Sequence, residues 1–213
     1  RLWLYYHLAG NNTQFWPRLF ELLRNERLQN GGQISGDRSL LLFYKHACDA
    51  AGEDLTEFFR AHGYLEVMDN RFVGDYSNAT YNQTQEMVDE AIDYVKNKWS
   101  KQNYSILLIN DGTSETTLQH NGKDSRSLWD SNPSAELGSV NDFIDGDAVA
   151  TADYAAVVSA DGTVTMTGTG GVGFLIFNEE GELVSFSNKK TFAISDEAAY
   201  LLATGKATIS AVN

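Results

Sequence analysis

Near residue 100 the apolar residues of this chain change their spacing, and that change restricts the fold more than any other feature. Before it, apolar positions recur three and four residues apart, as in Met87, Val88, Ala91, Ile92 and Val95. After it, short β-rich runs surround Gly turns, as in "ADYAAVVSADGTVTMTG" and "GFLIFNEEGELVSFSN". A 3.6-residue period lays one apolar stripe along a helix, whereas a two-residue period lays one apolar face along a strand. One segment cannot serve both. The spacing therefore predicts an α+β protein, an N-terminal helical bundle followed by an antiparallel β-sandwich. The expected units are 1–102 and 103–213, with the joint near Ser100 to Asn103.

In the first unit, Trp3 to Ala9 reads as a helix end, stopped by Gly10-Asn11-Asn12. Thr13 is placed to cap a second helix with Pro17 in its first turn, running to about Arg27. "LQNGGQISGD" reads as a loop, and Ser39 to Ala51 as a third helix. In "ACDAAGEDLTEFFRAHGYLEV", Asp54 stands at an N-cap position, Glu57 three residues on, and Gly63 after the last turn. Phe58 and Phe59 between these caps subtend about 100° on a helix, so they must meet two different surfaces. Thr84 to Trp99 completes the set, with acidic residues early and Lys96 and Lys98 late, as the helix dipole favours.

In the second unit, "YSILLIN" matches a short buried strand ended by Asp111-Gly112. Asp161-Gly162 and Glu-Glu-Gly-Glu at 179–182 are hairpin turns, and "TFAI" and "KATISAV" are further strands. Asn110 to Asp153 is polar and rich in Gly and Asp, with no clear period.

Charge narrows the function. The 213 residues carry a net charge of −13, with −4 in residues 1–100 and −9 beyond. Such a chain repels phosphate backbones and anionic headgroups, and no basic stripe interleaves with aromatics, so nucleic acid is not an expected partner. No run of about 18 apolar residues exists, so membrane insertion is not expected. The lone Cys48 permits no internal disulfide and lies in an apolar helical stretch, as a buried inert thiol would. The chain opens on a folded-looking pattern without Met or signal peptide, and is expected to be a piece of something longer.

Catalytic chemistry is hard to find. The histidines are His7, His46, His62 and His120, and no HExxH-type pair occurs among them. His46 and Asp49 can share a helix face, but Cys48 points away from His46, so the three do not form a chelating set. "DGDAVATAD" at 145–153 lacks the glycine and closing glutamate of a calcium loop and reads as an acidic turn. "TGTGGVG" at 167–173 sits between strands rather than before a helix, which suits a bulge or turn. Trp129, Phe143 and Tyr154 would suit an aromatic sugar platform, or equally a core.

Four blocks carry a family likeness: "RLWLYYHLAG", "FWPRLFELLRN", "FYKHACDAAGEDLTEFFRAHGYLEV" and "DYSNATYNQTQEMVDEAIDYVKNK". They resemble consecutive segments of the enhancin-like, M-sixty family zinc metallopeptidases. There they follow the zinc-binding helix and form the helical lobe of the catalytic domain. "FLIFNEEGELVSFSNKKTFAI" resembles the β module that follows in gut-bacterial members. The resemblance implies an extracellular or cell-surface zinc endopeptidase acting on mucin-like O-glycoproteins. The family's HExxH and downstream glutamate are missing here, so it further implies that zinc is held upstream of Arg1. By that reading the chain has no cofactor, metal ligand or catalytic residue of its own and is inactive alone. Its partners would be the upstream zinc-binding lobe of the same polypeptide and a glycoprotein or mucin substrate.

In two-lobed zinc peptidases the helical lobe often supplies a Tyr or His opposite the metal, where it stabilises the developing oxyanion. Tyr5, Tyr6 and His7 are the candidates for oxyanion or substrate contact, against the alternative that they are core residues. Two other functions compete with the peptidase fragment, a non-catalytic glycan-binding or adhesion module and a structural spacer.

Overall fold

The computed structural model describes residues 1–8, 10–32, 36–74, 78–108, 119–120, 123–124, 155–167, 173–187 and 191–212. Two compact units emerge, one of Asn12–Tyr104 and one joining Arg1–Asn11 to Ser105–Asn213. The sequence places the joint at 102/103 and leaves the first eleven residues with the helices. In the structure they belong to the β-containing unit, where the Arg1 guanidinium donates to Leu107 O at 3.0 Å.

Asn12–Tyr104 contains α1 (Phe15–Gln29), α2 (Gly36–Ala51), α3 (Thr56–Ala61), β1 (Met68–Gly74), β2 (Asn78–Gln83) and α4 (Gln85–Lys98). α1 begins without Thr13 as its cap. Asn12 Oδ1 instead accepts the Gln14 amide at 3.1 Å, holding the turn one residue earlier. Thr84 caps α4 as its sequence suggests, accepting the Met87 amide at 3.2 Å.

α3 starts one residue later than Asp54 alone indicates, because Leu55 occupies the N-cap position. Asp54 still satisfies an orphan amide, accepting from Thr56 N at 2.8 Å. Gly63, at φ +75°, ends the helix as expected. Its amide closes on Arg60 O and that of Tyr64 on Phe59 O, a Schellman pair that L side chains with a Cβ adopt only under strain. Both phenylalanines are buried, Phe59 against Phe43, Tyr44 and Tyr64, and Phe58 against His62.

β1 and β2 form an antiparallel hairpin inside the half that reads as helical. Its outward residues Arg71, Phe72 and Thr80 are exposed, so the two-residue apolar alternation that marks a strand is weak there. Gln83 anchors it from within, donating through Nε2 to Tyr64 O at 2.9 Å and Glu66 O at 2.8 Å.

The other unit opens with a π-helical turn at Leu4–Leu8 where the sequence predicts an ordinary helix end. The strand expected at "YSILLIN" is instead α5 (Ser105–Leu108), with Ile106, Leu107 and Leu108 all buried. A short apolar run is equally suited to a buried strand or a buried helical turn, so spacing cannot separate the two.

Two-residue strands β3 (Gln119–His120) and β4 (Lys123–Asp124) pair with each other. The remaining strands are β5 (Ala155–Val158), β6 (Thr163–Thr167), β7 (Gly173–Asn178), β8 (Leu183–Ser187), β9 (Thr191–Ala193) and β10 (Ala207–Val212). They make two antiparallel three-stranded sheets, ordered β5-β6-β9 and β10-β7-β8. Val164, Met166 and Phe192 from one sheet share a core with Phe174, Ile176 and Ala207 from the other. That is the expected sandwich. Each fully buried Val, Phe or Ile in it contributes about 1.5–3 kcal/mol. Between β9 and β10 lies α6 (Asp196–Ala203), capped by Ser195, whose Oγ accepts the Ala198 amide at 3.2 Å. Among the described residues no helix is long and apolar enough to cross a membrane.

Candidate functional site

The π-turn at Leu4–Leu8 separates the three residues singled out by sequence. Tyr5 and Tyr6 are buried, 9% and 1% exposed, with rings edge-to-face at 5.0 Å. His7 is exposed, and its ring lies 5.1 Å from that of Trp3. A π-turn adds a residue to the local ladder and often re-aims side chains at functional positions. Here two phenols lie in the interior and one imidazole lies on the surface.

The other histidines have separate tasks. His62 donates from Nδ1 to Phe58 O at 2.7 Å, and its ring packs on Phe58. His46 Nε2 lies 3.4 Å from Glu26 Oε2, yet neither of its buried ring nitrogens has a hydrogen-bond partner among the described residues. Burial holds its pKa below the usual imidazole range, against the opposing pull of Glu26 and Asp49. The side chain of His120 lies outside the described residues. Cys48 is fully buried, and burial pushes its thiol up, so it is a poor nucleophile.

Asp49 shares no ligand geometry with His46 or Cys48. It faces α4, where Tyr94 donates to Oδ2 at 2.7 Å and Trp99 Nε1 to Oδ1 at 2.9 Å. Lys98 Nζ sits 2.7 Å from the same Oδ1 and donates to the Tyr94 hydroxyl at 2.8 Å. Burial alone would raise the Asp49 pKa, but hydrogen bonds from Lys98, Tyr94 and Trp99 outweigh it and hold the carboxylate below its ordinary value. The sequence signal for this cluster is Tyr94 and Lys98, one helical turn apart and adjoining Trp99; it carries no catalytic pattern and is easily passed over.

A second buried chain links α2 to α3. Thr56 gives its hydroxyl proton to Asp54, and Tyr44 donates in turn to Thr56 Oγ1 at 2.7 Å. Burial pushes the Tyr44 phenol far up, so it stays protonated. Beside it, Asp54 N donates to Lys101 O and Asn103 N to Asp54 O, while Glu53 takes Lys101 Nζ and Asn103 Nδ2, each at 2.7 Å. These bonds pin residues 101–103 against the end of α2.

Neither cluster suits a catalytic zinc ion, which needs three nitrogen, sulfur or carboxylate donors converging on an open position. Among the described residues no group of three or more His, Cys, Asp or Glu is arranged to hold a metal. Asp49 is already taken up by Tyr94, Trp99 and Lys98, and Oδ1 of Asp54 by the Thr56 amide and hydroxyl. Trp129, Phe143, Tyr154 and the segment 145–153 lie outside the described residues, as does most of 167–173.

No family model and no curated protein matches the chain. Solved structures do. A metallopeptidase from Bacteroides thetaiotaomicron matches 100% of this chain and 34% of its own, with a TM-score of 0.67 at 20% identity. A metallopeptidase in complex with Tn antigen matches 99% of this chain and 37% of its own, with a TM-score of 0.66 at 22% identity. The fold is that of part of a metallopeptidase. The likeness at these identities is one of fold, and the chain spans about a third of the length of the structures it matches. It runs through both units, from the π-turn to the last strand of the sandwich.

Proposed function

We propose that this chain is the carboxy-terminal part of a secreted, enhancin-like zinc metallopeptidase acting on mucin-like O-glycoproteins. In this reading Asn12–Tyr104 forms a wall of the substrate cleft and the sandwich is an accessory module. The observation that carries it is the end-to-end fold likeness to two metallopeptidases, one of them bound to Tn antigen. The four sequence blocks resembling the helical lobe of the M-sixty family support the same reading. In this reading the zinc site lies in a lobe upstream of Arg1, as the family resemblance implies. Tyr5, Tyr6 and His7 are the proposed oxyanion or substrate contacts, and His7 is the one at the surface.

The test is reconstitution. The polypeptide extended upstream is expected to cleave an O-glycosylated peptide and to lose that activity to a chelator, whereas the 213-residue chain alone does neither. A purified 213-residue chain that holds a stoichiometric transition metal and hydrolyses mucin unaided would overturn the proposal. The Tn complex of a structural neighbour also favours a second reading, a non-catalytic glycan-binding module. Retention of the 213-residue chain on a Tn-bearing surface, with no cleavage in the extended polypeptide, would favour that reading.

A further inference from the structure

The outward face of α1 differs from an ordinary solvent face. Helical spacing puts Pro17, Phe20, Arg24 and Leu28 on one stripe, opposite the buried Phe15 and Leu19. Phe20 is 57% exposed and Leu28 71% exposed, two large apolar groups directed away from the core of their own unit. Phe20 is backed by Trp16, with ring centres 5.8 Å apart and planes inclined by 32°. The indole N–H of Trp16 is buried and meets no acceptor among the described residues.

Charge on this face runs against the rest of the chain. Arg24 lies on the stripe and Arg27 flanks it, its Nε donating to Gly32 O at 2.6 Å, with Glu21 the exposed carboxylate beside them; Arg18 is exposed further round the helix and Glu26 lies beside His46. The whole chain carries −13, so this is a local reversal of sign around an apolar stripe. Single exposed apolar residues are ordinary; two on one stripe, with Arg24 between them and Arg27 at the side, describe an anchor surface with a polar rim.

We propose that this face of α1 docks the rest of the metallopeptidase. The occupant is a surface of the upstream lobe that offers an apolar groove to Phe20 and Leu28 and carboxylates to the arginines. The proposal rests on the functional reading above, and the solved metallopeptidases carry about two thirds of their length outside the part matched here. A second copy of this chain is the weaker occupant. A two-fold dimer presents the same patch twice, and its one exposed carboxylate, Glu21, leaves arginines on each side without an acidic partner.

The experiment uses the upstream-extended polypeptide, with Phe20→Ser plus Leu28→Ser as one variant and Arg24→Glu as another. All three positions are exposed, so the 213-residue chain alone should keep its Tm within about 2 °C in both variants. The extended polypeptide should lose about 5 °C or more in the double variant, and less in Arg24→Glu. Both should become cleavable by a general protease between the lobes, where wild type is protected. Unchanged Tm and protease pattern in the extended variants would overturn the docking surface. A 213-residue chain that sediments as a dimer and is dispersed by the double substitution would overturn it in favour of self-association. Neither readout needs catalysis, so an extended wild type that is protected but cleaves no glycoprotein refutes the functional reading and leaves the docking result standing.

Discussion

Trp99 donates its indole N–H to Oδ1 of Asp49 at 2.9 Å, and so ties the end of α4 to the last turn of α2 across 50 residues of sequence. The same carboxylate takes Tyr94 and Lys98, so one buried acid organises three donors.

Replacing Asp49 should therefore cost more than a surface ion pair would. Asp49→Ala leaves a phenol and an indole without their acceptor and is expected to destabilise the chain by about 2–3 kcal/mol in urea unfolding; Lys98 is largely solvated and adds little. The acid's pKa is depressed in the folded state, so its contribution is present above the unfolded value near 3.8 and lost as pH falls through the folded one. The stability curve of Asp49→Asn should be flatter than wild type below about pH 4. Parallel wild-type and variant curves would show that folding leaves the Asp49 pKa unshifted.

Phe58 and Phe59 answer to different neighbours from adjacent positions. Phe59 is 1% exposed beneath Phe43, Tyr44 and Tyr64, and Phe58 is 6% exposed against His62. Phe→Ala at each should cost about 3–5 kcal/mol by chemical denaturation. A loss below about 0.5 kcal/mol at Phe58 would place it at the surface.

His46 supplies a second pH dependence, of known sign. Burial lowers its folded pKa below 6.5, so the unfolded chain binds the proton more readily. Stability is full above about pH 6.5 and falls as pH drops from there toward the folded pKa. His46→Gln removes this step. Titration of the ring by NMR checks the assignment, and a folded pKa above 6.5 would reverse the sign.

How much of this was legible from sequence depends on whether a residue's context is local. Thr84 and Gly63 were readable because a cap or a left-handed stop is decided within four residues. The Val164–Met166 alternation and the Asp161–Gly162 turn were readable for the same reason. The run at Ile106, Leu107 and Leu108 was not, since burial on all sides erases the period that separates helix from strand. The β1–β2 hairpin hid behind exposed Phe72 and Thr80. α6 lies in a stretch that the spacing left unassigned, although Ser195 with Asp196 and Glu197 behind it is a helix-start pattern. The Asp49 cluster joins residues 45 to 50 positions apart, and no local spacing reports that. The fold likeness to a metallopeptidase was anticipated from sequence blocks, whereas Tyr5, Tyr6 and His7 are parted by a π-turn that no spacing rule foresees.

Gly173 offers a packing test within the sandwich unit. A Cβ built there meets Leu108 Cδ1 at 2.6 Å, well inside contact distance, so a side chain at the first residue of β7 would force the buried Leu108 at the end of α5 to move. Gly173→Ala should destabilise by about 1–3 kcal/mol through overpacking. Leu108→Ala alone should cost about 2–5 kcal/mol, since the side chain is fully buried. In the double variant the added methyl enters the vacated space, so the two losses should fall short of additivity by about 1 kcal/mol or more. Strict additivity in the double-mutant cycle would mean that the two sites do not share that space.

The last prediction concerns the π-turn and separates contact with substrate from support of the fold. In the upstream-extended polypeptide, His7→Ala should lower kcat/KM on an O-glycosylated peptide while leaving Tm unchanged, because the ring is exposed. Tyr6→Phe removes one hydroxyl from a residue 1% exposed, and any cost should appear in stability as well as in rate, about 1 kcal/mol if the hydroxyl's partner is buried with it. A loss in kcat alone for His7→Ala assigns it to the transition state, and a loss in KM alone assigns it to binding. If both variants keep wild-type kcat/KM, the π-turn takes no part in the reaction and its aromatic residues serve packing only.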